Sequence, residues 1–208
     1  MAIKSIKNQD IFRVPDENQG KIHYGCDQEW YSTEWQRKAG CGPTVASNLI
    51  HYIKNKEISA CFCKDTCLSL MEEVWNFVTP TRYGINTTKM FSELFLTYAK
   101  EKRIEVQARI CDLPKEISLR PKMPALVGFL KEALSKDSPV AFLNLCNGDE
   151  ANLQYWHWVT IISVEYGDTD EKAFINIMDE GIIKKIDLGL WCRTTTLGGG
   201  FVYFMANA

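Results

Sequence analysis

The 208-residue, 23.8 kDa chain has room for one generous domain, and its 46% hydrophobic and 24% charged residues match an ordinary globular protein, which excludes disorder and low-complexity scaffolds. With 24 Lys plus Arg against 26 Asp plus Glu, a formal charge of -2 and no clustered basic face, phosphate neutralisation and hence a nucleic-acid partner are not expected. The longest nearly apolar runs, Pro124 to Leu130 and Trp158 to Val164, fall short of the roughly 18 residues that a membrane span needs. The lysine-bearing start MAIKSIKNQDIF lacks the apolar stretch of a secretory signal, so a cytoplasmic, soluble chain with its eight cysteines reduced is the expectation.

No internal repeat or linker divides the chain, so residues 1–208 are expected to form a single domain. Gly42-Pro43-Thr44 introduces Ala46, Leu49, Ile50 and Ile53 at helical spacing, with Pro43 near the first helical position and lysines at the end. Further helices are predicted over Asp65 to Phe77, over Thr87 to Lys102 with Met90, Phe91, Leu94, Phe95 and Tyr98 on one face, and from Pro124 to the Asp137-Ser138-Pro139 stop. Strands are predicted over Ile104 to Cys111, Val140 to Cys146, Trp156 to Tyr166, Lys172 to Asp179, Ile182 to Leu188 and Phe201 to Met205. Helices first and a mostly antiparallel sheet second define an α+β class. The turn Gly167 to Glu171 should join two of the strands as a hairpin, and the TTTLGGG tract, Thr194 to Gly200, reads as a flexible surface loop.

Cys41 sits at the N-terminal tip of the first helix, where unpaired N–H groups and the positive end of the helix dipole favour a thiolate, the nucleophilic form of cysteine. Gly40 and Gly42 on either side leave space for a carbonyl to approach the sulfur. The competing reading of Gly-Cys-Gly is a buried cap cysteine. Of three histidines, His51 lies nearly three turns along the same helix and is too far from the thiol, whereas His23, in a loop-like segment, remains open. His157 opens a strand between Trp156 and Trp158 and is placed where a base should be; its competing reading is an aromatic-packed core histidine.

A catalytic imidazole needs a third group to fix its orientation. If Tyr166 and Lys172 close the hairpin, His157 lies across from about residue 181 and Asp179 lies beside it, while Asn176 falls five residues along the strand, about 16 Å away. A developing oxyanion calls for a backbone N–H and a side-chain amide. Gln36, five residues upstream of Cys41, is favoured over Gln28, thirteen upstream, because its tether is shorter. Trp30, Tyr31, Trp35 and Trp156 are candidates for a cleft wall, although aromatic core is the commoner fate.

The segments AGCGPTVASNLIHY, ALSKDSPVAFLNL, HWVTIISV and FINIMDEG together resemble the papain superfamily, and within it the cysteine peptidases related to the double-glycine leader peptidases of bacteriocin exporters. The resemblance spans about residues 28 to 180. It implies a papain-like fold with the nucleophile helix packed on the sheet, a peptide or protein substrate, and no cofactor. It further implies Cys41 as nucleophile, His157 as general base and acid, Asp179 as orienter and Gln36 as oxyanion donor. Two departures stand out: the family's aspartate is commonly followed by proline, where this chain has Glu180, and the glutamine spacing is one residue shorter than in papain-like enzymes, which keeps Gln28 in play.

Cys61, Cys63 and Cys67 form a C-x-C-x3-C cluster with Cys26 or Cys111 as possible fourth ligands, but the spacing is not the usual zinc pattern, and reduced thiols with no bound metal are expected. The functional expectation is a thiol hydrolase acting on an amide bond through an acyl-enzyme. The alternatives are an acyltransferase using the same residues and a non-catalytic binding module on the same scaffold. Substrate identity and oligomeric state are not legible in the sequence.

Overall fold

The computed structural model describes residues 1–16, 20–57, 62–167 and 172–206. Three short strands, β1 (Ala2–Ser5), β2 (Arg13–Asp16) and β3 (Lys21–Tyr24), precede four helices, α1 (Glu34–Ala39), α2 (Cys41–Asn55), α3 (Lys64–Trp75) and α4 (Thr88–Glu101). There follow β4 (Val106–Leu113), α5 (Met123–Ser135), β5 (Val140–Asn144), β6 (His157–Tyr166), β7 (Ala173–Asp179), β8 (Ile182–Asp187), α6 (Leu188–Thr194) and β9 (Gly199–Ala206). The class is α+β, with the four predicted helices and six predicted strands present to within two residues at most of their ends.

The main sheet is seven-stranded and antiparallel, in the order β4-β9-β5-β6-β7-β8, and β1 pairs with the far half of β6 beyond the end of β5. Both faces are covered, which explains why the central strands read as continuous apolar runs rather than alternating ones. On one face Val45, Leu49 and Ile50 of α2 and Phe91, Phe95 and Tyr98 of α4 pack with Ala141, Leu143, Trp158, Val202 and Phe204. On the other, Leu126, Leu130 and Leu134 of α5 and Trp191 of α6 pack with Val140, Phe142, Val159, Phe201 and Tyr203. Alternation along β5 and β9 thus sends successive side chains into two separate cores.

The hairpin of β6 and β7 departs from its expected register and then returns to it. Tyr166 faces Ala173 rather than Lys172, a one-residue slip near the turn, and a bulge between Ile161 and Ser163 removes that residue, so that Thr160 faces Met178. The register at the His157 end is therefore the one the simple hairpin predicts. Asp168 to Glu171, the centre of the expected turn, lie outside the described residues.

The TTTLGGG tract is not a surface loop. Thr194 ends α6, Thr195 is buried with its hydroxyl donating to the Cys146 carbonyl at 2.7 Å, and Gly199 and Gly200 belong to β9. Gly198 has φ 72°, and a Cβ there would lie 2.0 Å from the Leu113 carbonyl oxygen, so packing rather than flexibility accounts for glycine at this position. The N-terminal strands, α1 and α6 had no counterpart among the sequence-based expectations. No helix among the described residues is long and apolar enough to cross a membrane.

Candidate active site

Cys41 is the first residue of α2, with Gly40 as a cap that offers no side chain to the helix N–H groups. Pro43 stands in the first turn, where a missing N–H costs nothing, and the remaining unpaired donors of that turn are gathered at the half-buried Cys41. The two flanking glycines have a packing reason not anticipated from sequence. A Cβ on Gly40 would lie 2.3 Å from the Gln36 carbonyl and 2.7 Å from the Tyr31 ring, and one on Gly42 would lie 2.9 Å from Ile85.

His157 opens β6 and lines the same cavity as Cys41. Its Nε2 lies 2.8 Å from Asp179 Oδ1, and because an ionised carboxylate only accepts, Nε2 is the donor. That leaves Nδ1 as the nitrogen available to the sulfur. Burial works against a charged ring here, but the Asp179 hydrogen bond, the neighbouring Cys41 sulfur and the Asp179 charge outweigh it and push the His157 pKa up to about 10.

Asp179 ends β7, and a two-residue turn, Glu180 at φ 52° and Gly181 at φ 71°, leads directly into β8. Proline is locked near φ -65° and cannot stand at position 180 of such a turn, which gives the departure from Asp-Pro a structural meaning. Burial would raise the Asp179 carboxyl, yet the His157 hydrogen bond and charge and then Lys184 hold it below the ordinary carboxylate range. Lys184 of β8 was missed by sequence reasoning. Its Nζ donates to Asp179 Oδ2 at 2.7 Å and to Glu180 Oε2 at 2.7 Å, so each oxygen of Asp179 has its own cationic partner. The legible signal was the tight Glu-Gly turn: it pairs Asp179 with Ile182 and sets residue 184 diagonally beside Asp179 on the same face.

Gln36 is not brought to this group. It is the third residue of α1 and forms a capping box with Thr33, its Oε1 accepting from the Thr33 hydroxyl at 2.8 Å and its Nε2 donating to Glu72 at 2.6 Å. The T-x-x-Q signature at residues 33 to 36 announces this local role. Gln28 instead lines the cavity with Cys41 and His157, its Nε2 donating to the Arg37 carbonyl and its buried Oε1 having no partner among the described residues.

The other histidines lie elsewhere. His51 is buried, stacked on Phe62 at 3.4 Å between ring centroids, with Nε2 3.1 Å from the Ile11 carbonyl oxygen; burial pulls its pKa down to about 4, only partly offset by that hydrogen bond. His23 is buried on β3 behind the Glu180-Gly181 turn, its Nδ1 3.9 Å from Asp27. Of the C-x-C-x3-C cluster, Cys61 lies outside the described residues, Cys63 caps α3, and Cys67 is buried in one apolar cluster with Cys26. Among the described residues no three His, Cys, Asp or Glu side chains are grouped to hold a metal ion. Tyr31 is core, whereas Trp35 and Trp156 are exposed beside Cys41.

No protein-family model matches the sequence, and no curated protein matches it. Among solved structures, UfSP from C. elegans superposes with a TM-score of 0.58 at 11% identity, over 100% of this chain and 35% of that chain. The fold is papain-like. This chain spans about a third of the length of that neighbour, and the likeness supports the papain-like fold without singling out the double-glycine leader peptidases within it.

Proposed function

We propose that this chain is a cysteine peptidase in which Cys41, His157 and Asp179 act as nucleophile, acid-base and orienter. The observation that carries the reading is the position of His157, which shares one cavity with Cys41 and is hydrogen-bonded to Asp179 at 2.8 Å. In this mechanism the Cys41 thiolate attacks the amide carbonyl carbon, a C–S bond forms, and the carbonyl π pair moves to oxygen. The oxyanion is received by N–H groups at the start of α2 and by the second amide N–H of Gln28, which takes the role expected of Gln36. Collapse breaks the C–N bond as the His157 imidazolium gives its proton to the leaving amine. His157 then takes a proton from water, hydroxide adds to the thioester, and the C–S bond breaks to return the thiolate and release the acid. Lys184 holds the second oxygen of Asp179 and keeps the carboxylate charged and aimed.

The test is amine release from a mixed library of peptides with a C-terminal fluorogenic amide. Wild-type turnover that disappears in Cys41→Ala and in His157→Ala is the expected result. Equal release by the wild type and Cys41→Ala contradicts the reading.

A further inference from the structure

Cys41 lies in the walls of two separate depressions. The first holds His157, Asp179 and Gln28; the second holds Trp35, Tyr83, Ile85, Leu143, Trp156 and Trp158, without His157. A tetrahedral centre formed on the sulfur must place its leaving nitrogen toward His157 and its oxygen toward the amide donor, both in the first depression. The remaining substituent, the acyl side of the substrate, is then directed into the second.

That second cleft, an open depression of about 280 Å³, is walled by aromatic rings that folding leaves uncovered: Trp35 is 49% exposed, Tyr83 61% and Trp156 42%. A separate observation shows that the wall is held in place at a cost. Trp156, the residue before the base, has φ 57°, a left-handed conformation that disfavours a bulky side chain by roughly 1 kcal/mol or more. Its indole nevertheless lies across the cleft, Nε1 donating to the Tyr83 carbonyl at 3.4 Å. Beneath it Trp158 is fixed by a 2.6 Å hydrogen bond to the Ile85 carbonyl and by stacking on Phe91, which makes the floor rigid. Rigid, exposed indoles converging on a nucleophile provide apolar contact area at little further entropy cost.

Building on the peptidase reading, we infer that this cleft binds a bulky apolar side chain, aromatic or large aliphatic, on the acyl side of the scissile bond, so that the preferred substrate class is a peptide cleaved after such a residue rather than after glycine. The experiment uses N-acetyl aminoacyl chloromethyl ketones with glycyl, leucyl, phenylalanyl and lysyl side chains. In each the Cys41 thiolate displaces chloride from the methylene carbon as a C–S bond forms. Rates are divided by the iodoacetamide rate on the same protein, which reports the thiol alone.

We expect the phenylalanyl and leucyl reagents to exceed the glycyl and lysyl ones by tenfold or more in the wild type. In Tyr83→Ala and Trp156→Ala the phenylalanyl-to-glycyl ratio should fall toward one. A flat series with iodoacetamide still labelling Cys41 rapidly overturns the subsite and leaves the peptidase reading standing. Slow iodoacetamide labelling of Cys41 overturns the peptidase reading itself.

Discussion

Replacing Asp179 by Asn tests the triad at the atom where it is most constrained. Each carboxylate oxygen has its own partner, His157 Nε2 at 2.8 Å and Lys184 Nζ at 2.7 Å, and an asparagine retains only one acceptor. Whichever donor keeps the oxygen, the other faces an N–H₂ group. Lys184 can fall back on Glu180, so the folded state should lose only about 1 to 2 kcal/mol. The His157 ring has no such alternative. Its displacement from the ordinary 6.5 to about 10 corresponds to about 5 kcal/mol of preference for the imidazolium. Losing the charge-assisted hydrogen bond from the ring to Asp179, worth about 2 kcal/mol, should slow thiolate chemistry by up to about 30-fold at neutral pH. The assay is the second-order rate of iodoacetamide alkylation of Cys41, followed by peptide mass mapping from pH 5 to 10, with thermal denaturation alongside. An Asp179→Asn variant that alkylates at the wild-type rate with an unchanged pH profile refutes the reasoning.

Other consequences can be checked with simple measurements. Lys184→Met removes one of the two restraints on Asp179 and should lower kcat more than it raises KM, with Lys184→Arg restoring most of the loss; a pure KM effect contradicts a positioning role. Gly40→Ala forces a Cβ against the Gln36 carbonyl and the Tyr31 ring and should destabilise the fold by about 1 to 3 kcal/mol, read as a lower urea midpoint. His51 is neutral in the fold, so the unfolded chain takes up its proton first as the pH falls. Its contribution is complete above about pH 6.5 and is lost progressively toward pH 4, by about 3 kcal/mol in total, and His51→Gln should flatten the dependence of the urea midpoint on pH across that window. At Cys146 burial acts to raise the thiol pKa, but the Thr196 hydroxyl and backbone N–H groups from residues 148, 196 and 197 pull it down to about 7. Labelling near pH 7 should therefore reach Cys146 even in Cys41→Ala, and much faster than Cys192, which burial pushes up to about 12.

The parts of the molecule that declared themselves in sequence are those whose causes are local. Pro43 after a glycine and the spacing of Ala46, Leu49 and Ile50 suffice to place α2, and with it Cys41 at a helix tip. Asp179 beside His157 followed from hairpin geometry, with the Ile162 bulge cancelling an error at the turn that the sequence did not reveal. The N-terminal strand β1 escaped because four ordinary residues pair with a strand some 160 positions away, and no local pattern encodes such a partner. The glycines of the TTTLGGG tract mimicked a loop because glycine marks both mobile turns and backbone that another strand approaches closely; at Gly198 the second holds. Gln36 was misplaced by a tether-length argument, although a capping box written in the sequence already accounted for its amide oxygen, and the distant Glu72 takes its amide nitrogen. Lys184 was invisible until the turn at Glu180 and Gly181 set its face.

His157, set between the Cys41 sulfur and the Asp179 carboxylate, is held in its protonated form by these two neighbours. Nitrogen-15 NMR of histidine-labelled protein, with the three rings assigned by substitution, measures this directly. The account requires His157 to remain protonated to about pH 10 in the wild type and to titrate well below that in Cys41→Ala. A His157 ring that titrates near pH 6.5 and is indifferent to the loss of the Cys41 sulfur contradicts it.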